Sequence, residues 1–452
     1  MSEKITELLE AKKIAELRAL FAEMEPADIA AALEEFDDEK LPVLYRILPK
    51  DVAADVFVEM DGEEQEYLIK SFNDRELREV VNELYLDDAV DIIEEMPATV
   101  VKRILANTNA QDRKIINELL NYPKDSAGSI MTTEYIDLKS GMTVGEALER
   151  IRKTGVDKET VYTCYVTDNK RKLKGIATVK EMILSGNDAK IEDIMDTNVI
   201  FCTTTEDKEE VADKIKKYDF LALPVVDKEN RLVGIVTVDD AIDVMVEEAT
   251  EDIEKMAAVL PTDKSYLKTS VFSLWKARAP WQLLLMISAT FTGMVLNTFE
   301  DRLTAFPVLI SFIPMLMDTG GNTGSQAAVT IIRSLSLGEI EFSDILKVIW
   351  KEIRVSVLCG AMLAVACFIK IQVVDVLIMG ANVNLISCAV VCVTLFVTVF
   401  CAKLVGCTLP ILSDKIGLDP AVMSSPFITT IVDAISLLIY FNVASAFLGF
   451  NA

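Results

Sequence analysis

Apolar and polar positions follow different rules on either side of Pro280. Up to about residue 125, apolar residues recur at helical intervals in short units opened by Pro or Asp. Pro26-Ala-Asp-Ile-Ala-Ala-Ala-Leu-Glu-Glu-Phe36 is answered 23 residues later by Pro49-Lys-Asp-Val-Ala-Ala-Asp-Val-Phe-Val-Glu-Met60, and looser copies start near Asn73 and Leu86. This pattern predicts a solenoid of stacked helices that docks or binds and carries no catalytic chemistry. Asp87, Asp88 and Asp91 cluster on one of these helices. Asp87 and Asp91 are i, i+4, so they share a face that is either a solvated helix start or a place for a cation.

Residues 126–250 contain a second duplication, with copies over 126–190 and 191–250. Ser129-Ile-Met-Thr-Thr-Glu-Tyr-Ile136 matches Asp193-Ile-Met-Asp-Thr-Asn-Val-Ile200, and Leu173 to Met182 matches Leu232 to Ala241 with Gly175 and Gly234 in register. Each copy predicts helix, strand, strand, helix. The pair resembles tandem CBS domains, which implies adenine-nucleotide binding in a cleft where an Asp after a Gly-x-x-Thr strand holds ribose. Asp240 fits that position in the second copy and Glu181 stands at the matching place in the first.

A connecting helix is expected within 239–275. Ile242, Met245, Ala249, Ile253 and Met256 form an apolar stripe, and Asp240, Asp243, Glu247, Glu251 and Glu254 follow the same spacing on another face, with Glu248 and Asp252 beside them. Lys255 alone offsets them. Each like-charged i, i+4 pair costs about 0.2–0.5 kcal/mol, so this face is either solvated or bridged by cations.

Beyond Lys276 the pattern turns continuously apolar, with five expected spans at roughly 281–299, 304–333, 353–374, 384–409 and 421–449. Each is long enough for a hydrocarbon core of about 30 Å. Lys276, Arg278, Arg333, Lys347, Lys351, Arg354 and Lys415 gather on one side, which places the N-terminal domains in the cytoplasm and the C-terminus outside. Two features are foreign to lipid. The second span contains Asp318-Thr-Gly-Gly-Asn-Thr-Gly-Ser-Gln326, and the fifth carries Asp433 among apolar neighbours. An ionisable group at that depth costs roughly 3 kcal/mol or more against lipid, so it marks an ion pathway by default. Pro314, Gly320, Gly321, Gly324 and Pro426 are expected to open the backbone of these two helices, turning freed carbonyls and Asp433 toward a shared axis.

Charge sharpens this picture. The net charge is −26, yet residues from Lys276 onward hold 11 acids and 10 bases, leaving 60 acids and 35 bases before them. Such a soluble portion argues against nucleic acid and anionic lipid and suits cations. Histidine is absent and the eight cysteines form no metal pattern, so an oxygen-only site for a hard cation such as Mg2+ is the chemistry available. The fold class expected is a multidomain membrane protein: an α-helical solenoid over 1–125, an α/β tandem CBS pair over 126–250, a connecting (plug) helix, and a five-helix transmembrane domain over 276–452.

In this order of parts, with Gly-Gly-Asn-Thr-Gly-Ser-Gln in the second span, the chain resembles the MgtE family of bacterial magnesium channels. The resemblance implies a non-enzymatic homodimer in the bacterial plasma membrane, with one Mg2+ pore between the second and fifth helices. Asp433 would select hydrated Mg2+, and backbone near Gly321, Gly324 and Thr429 would complete the filter. It also implies closure by regulatory cytoplasmic Mg2+ at Asp87, Asp91, Glu209, Asp219, Asp240, Asp243, Glu248, Glu251 and Asp252. Two departures stand out: Ser425 precedes the fifth-helix proline, and Thr163 with Lys180-Glu181 weakens the expectation of ATP as a ligand. The alternatives are a carrier of another divalent ion, such as Mn2+ or Co2+, and a nucleotide-sensing CBS membrane receptor.

Overall fold

The computed structural model describes residues 2–37, 39–262, 266–299, 307–423 and 425–448, with side chains at all of these except Asp51, Asp157 and Ser425. Arg302, the start of the second expected span and the Ser425 side chain therefore lie outside the described residues. The chain divides into two compact units, Met1–Val246 and Glu247–Ala452.

The first unit opens with short helices of 5 to 10 residues. Their starts follow from sequence: Pro26 occupies a first helical position, and Asn73 and Glu76 close a reciprocal capping box. Among them is α1 (Leu86–Glu95). The duplicated region then forms β1 (Asp137–Lys139), α2 (Val144–Thr154), β2 (Thr163–Thr167), β3 (Leu173–Thr178) and α3 (Val179–Leu184). The second copy contributes β4 (Cys202–Thr203), α4 (Lys208–Tyr218), β5 (Ala222–Val226) and β6 (Leu232–Thr237), followed by α5 (Val238–Met256). The sheets are ordered β1-β2-β3 and β4-β5-β6, each with one parallel and one antiparallel pair.

The glycine match has a structural reason. Each copy begins by crossing onto the other's sheet, Thr132 pairing with Ile235 and Asp196 with Ile176. A Cβ on Gly234 would come within 2.8 Å of the Thr132 carbonyl, and one on Gly175 within 2.8 Å of the Asp196 carbonyl. The two Ile-Met segments and the two glycines are therefore one reciprocal contact. The apolar faces of the N-terminal helices, including Ile29, Leu44, Phe57 and Val90, share one core with Val211, Leu223 and Val236 of the second copy.

The second unit contains five long helices among its described residues: α6 (Val271–Thr298), α7 (Ile313–Ser336), α8 (Ile345–Lys370), α9 (Leu385–Lys415) and α10 (Ser425–Leu448). α8 continues as π-helical turns from Ile371 to Ile378. Four of these helices are long and apolar enough to cross a membrane, while α7 has the length but a polar middle. α8 starts earlier than its apolar stretch because polar first turns, with Lys347 and Lys351, extend it beyond the hydrocarbon-length segment.

Inside this unit Lys403 of α9 lies 3.6 Å from Glu352 of α8, both nearly buried. Removing one member of such a pair strands the other charge at a cost of about 3–5 kcal/mol. Lys403→Met is expected to cut detergent thermal stability sharply, and Glu352→Gln added to it to restore much of the loss. A melt unchanged by Lys403→Met would show that the pair carries no such weight.

Candidate cation sites

The polar middle of α7 packs against α10 and α9 through glycine. A Cβ on Gly320 would come within 2.8 Å of Ser436 and Thr398, one on Gly321 within 3.0 Å of Thr429, and one on Gly324 within 3.0 Å of Ile428. A Cβ on Gly406 would fall onto the Gly324 carbonyl itself. The expected opening of the backbone does not occur: α7 is helical from Ile313 through Ser336, and α10 from Ser425 to Leu448. The glycines remove side chains so that three helices approach closely, and close packing keeps them helical despite their low propensity. Gly406→Ala is expected to abolish the monodisperse gel-filtration peak of the purified protein, because backbone must move to admit the methyl.

Side chains on α7 divide by face. Gly320, Gly321, Thr323, Gly324 and Ser325 are buried, whereas Asp318, Asn322 and Gln326, spaced i, i+4, i+8, are exposed. Higher positions on α7 meet lower ones on α10, so the two run antiparallel. Asp318, one turn before Gly321, therefore stands level with Asp433, one turn after Thr429. Asp433 is half-buried. The Thr429 hydroxyl donates to the Pro426 carbonyl at 2.9 Å, keeping its lone pairs available as acceptors.

Also in this unit, Lys255 bridges Glu251 at 2.6 Å and Asp419, in the connection between α9 and α10, at 2.7 Å. Asp252 accepts from the Ser336 hydroxyl at 3.1 Å, and burial raises its pKa against that bond. Met256 packs against the apolar cluster that includes Ala328, Ile332 and Ala421. Glu248 is half-buried on the same helix.

The first unit concentrates carboxylates. Asp87 is 7% exposed, and its Oδ1 is buried without a partner. Burial pushes Asp87 well above the usual carboxylate range, with Asp240, Asp88 and Glu159 adding to it. Asp88 rises to about 7 through burial and then Asp240 and Asp239. Glu159, whose Oε2 is also buried and unpartnered, rises to about 7 through burial and then Asp239 and Asp88. Asp240 rises to about 6 by burial, opposed by the Thr237 hydroxyl donating to it at 2.5 Å. Asp55 and Glu134 complete the group, both adding to the rise of Asp88.

Of the expected regulatory residues, this unit therefore brings together Asp87 and Asp240, with exposed Asp243 beside Asp240. Asp91 is exposed although the buried residues of α1 run from Leu86 to Ile93, so its side chain stands off the packed face while Asp87 is buried. Glu209 and Asp219 are exposed at opposite ends of α4, roughly 15 Å apart by helix rise, so they form no joint site within one chain. Asp88, Glu134, Glu159 and Asp239 extend the set beyond the expected residues. At the nucleotide positions, Glu181 is engaged in the capping box of Thr178, and Asp240 belongs to the carboxylate group.

The comparisons with known proteins agree across the whole chain. Family models match at 24–125, the MgtE intracellular N domain; at 127–185 and 191–247, CBS domains; and at 313–443, MgtE, described as a divalent cation transporter. The magnesium transporter MgtE of Thermus thermophilus is 39% identical over 95% of this chain and 94% of its own length. The chain belongs to the MgtE family. It is thus a membrane transporter and not an enzyme. The magnesium transporter MgtE of Bacillus subtilis is 34% identical over 98% of this chain and 97% of its own. Among solved structures, the cytosolic domain of the Mg2+ channel MgtE in complex with ATP aligns with TM-score 0.52 at 37% identity, over 54% of this chain and all of that one. The soluble part of a magnesium transporter aligns with TM-score 0.52 at 31% identity, over 55% and 98%.

Proposed function

We propose that this chain is a Mg2+-selective channel of a bacterial plasma membrane, working as a homodimer and closed by cytoplasmic Mg2+. The observation that carries the pore is the exposed stripe Asp318, Asn322 and Gln326 beside Asp433. Such side chains do not face lipid. A second copy across a two-fold axis gives them a shared watery path, lined by α7 and α10. Asp433 is the selecting carboxylate. The carbonyls near Gly321 and Gly324 and the Thr429 oxygen assist by accepting hydrogen bonds from the ion's waters, which Mg2+ keeps.

Regulation rests on the acids of both units. With Mg2+ scarce, Asp87, Asp88, Glu159, Asp239 and Asp240 repel one another; bound ions relieve the repulsion and favour the closed state, a population shift. Asp91, Asp243, Glu209, Asp219, Glu248, Glu251 and Asp252 supply further ligands, Glu209 and Asp219 from separate ends of their helix. We assign the solenoid to 1–125, the CBS copies to 126–190 and 191–250, the connecting helix to 239–275 and the pore to 276–452, with the N-terminal domains cytoplasmic and the C-terminus outside. ATP is a weaker expectation here, because a polyphosphate near Asp240 meets carboxylates. Expression in a strain lacking its own magnesium uptake tests the reading. Growth restored at low Mg2+ is expected, and no restoration by well-folded, membrane-inserted protein would refute it.

A further inference from the structure

One cavity in the first unit is chemically unlike its surroundings. Although acids dominate the soluble portion, this cavity of about 340 Å³ is lined by Arg150, Lys158 and Arg171 against a single acid, Asp137. It lies along the edge strand β1 and includes neither Thr178, Lys180 and Glu181 nor Thr237 and Asp240. It is therefore separate from the nucleotide positions of the CBS pair and from the carboxylate group.

Asp137 is already neutralised, because Arg150 bonds it and Lys139 lies 3.4 Å away. Arg171 donates one N–H to the Tyr135 hydroxyl at 2.9 Å, leaving further donors of its fork. Lys158 makes no ion pair among the described residues. Thr167, 2% exposed, accepts from Lys139 at 2.7 Å and keeps its own proton to give.

The duplication supplies an internal control. Lys139 pairs with Thr167 as Thr203 does with Val226, so Asp137 and Thr167 correspond to Phe201 and Val226. From the caps of α2 and α4, Thr154 corresponds to Tyr218. Arg171 corresponds to Asn230, each two residues before a paired leucine and each left-handed, at φ 63 and 60. Asn is among the residues that tolerate that conformation, and Arg is not. By the same alignment Arg150 corresponds to Lys214, so the second copy keeps that one cation, but it replaces Asp137, Thr154, Thr167 and Arg171 by Phe201, Tyr218, Val226 and Asn230. The Arg171 guanidinium in a left-handed position therefore serves something other than folding.

We infer that this cavity binds a small phosphorylated metabolite, its phosphate held by Lys158 and Arg171 with hydroxyls of Thr133 and Thr167; the Thr154 hydroxyl already donates to the Arg150 carbonyl at 3.0 Å. Guanidinium and ammonium groups with neighbouring hydroxyls match phosphate oxygens. The volume suits a ligand somewhat larger than free phosphate. The site also touches the segments that carry Glu134 and Glu159, which are joined by the Glu159 N–H to Glu134 carbonyl bond at 3.0 Å, so occupancy communicates with the carboxylate group.

The test uses the full-length protein in detergent, free of Mg2+, titrated with inorganic pyrophosphate at constant ionic strength and followed by 31P line broadening. Saturable broadening is expected, weakened about tenfold or more by Arg171→Asn and by Lys158→Gln. Lys180→Gln, at the nucleotide position, is expected to leave it unchanged. Absence of saturable binding would overturn the inference, as would binding that survives both cavity substitutions or is lost only with Lys180→Gln.

Discussion

Asp433→Asn is expected to abolish Mg2+ uptake, with cellular accumulation falling at least about a hundredfold to the background of an empty vector. The substitution preserves shape and removes the charge that a hydrated divalent ion exchanges for bulk water. Entry is driven by about 2.3 kcal/mol per charge per 100 mV, hence roughly twice that for Mg2+, so a filter without its carboxylate has drive and no binding step. Asp318→Asn is expected to reduce uptake less, because Asp318 is exposed at the same level and adds field rather than sole contact. Uptake intact in Asp433→Asn would remove the pore assignment. A deeper loss in Asp318→Asn would transfer the selecting role to α7.

The second large effect is expected from the carboxylates of the first unit, and it combines opposite signs. Asp88→Asn with Asp240→Asn removes repulsion and burial cost, so the Mg2+-free unit becomes more stable; the same change weakens closure by Mg2+. Extending the neutralisation to Asp240, Asp243 and Glu251 should likewise give a channel that cytoplasmic Mg2+ shuts less readily.

The pH dependence follows from the same shifts. Asp88 and Glu159 stand near 7 and Asp240 near 6 in the folded unit, against about 4 when unfolded. Their raised values make stability complete below about pH 4 and progressively lost as pH rises through 6 to 7. Without Mg2+, the protection factors of the α1 amides, taken relative to intrinsic exchange at each pH, should therefore fall between pH 5 and pH 8, and with Mg2+ bound that fall should shrink. Bound Mg2+ favours the ionised forms. The Mg2+ needed for half-protection should rise as pH falls, because protons compete for the same oxygens. Protection factors that are independent of both pH and Mg2+ would reduce the group to a passive surface.

Much of this organisation is legible in residues. The helical repeats, the duplicated α/β region and Asp433 are local patterns, and Gly175 with Gly234 announces a contact that only a side-chain-free position allows. The glycines of α7 serve close helix packing and not the opened backbone that sequence suggests, since sequence shows low helix propensity and cannot show that Thr429, Ile428 and the α9 backbone fill the space. The i, i+4 argument for Asp87 and Asp91 holds for an isolated helix, but packing buries Asp87 and leaves Asp91 exposed, a difference that spacing alone does not show. Glu134 and Glu159 escape detection because they come from loops distant in sequence from Asp88 and Asp240; no spacing rule joins them. Lys255 is visible as the lone base of an acidic helix, while its partner Asp419 is brought to it only by the connection between α9 and α10.

The most direct test is Mg2+ flux by the purified protein in liposomes, read with a luminal indicator under a potential negative on the side receiving the ion. The channel reading predicts saturable Mg2+ entry that grows with the potential, disappears in Asp433→Asn and is suppressed by millimolar Mg2+ on the side of the N-terminal domains. Absence of flux from correctly folded, reconstituted protein, or flux indifferent to Asp433, would contradict it.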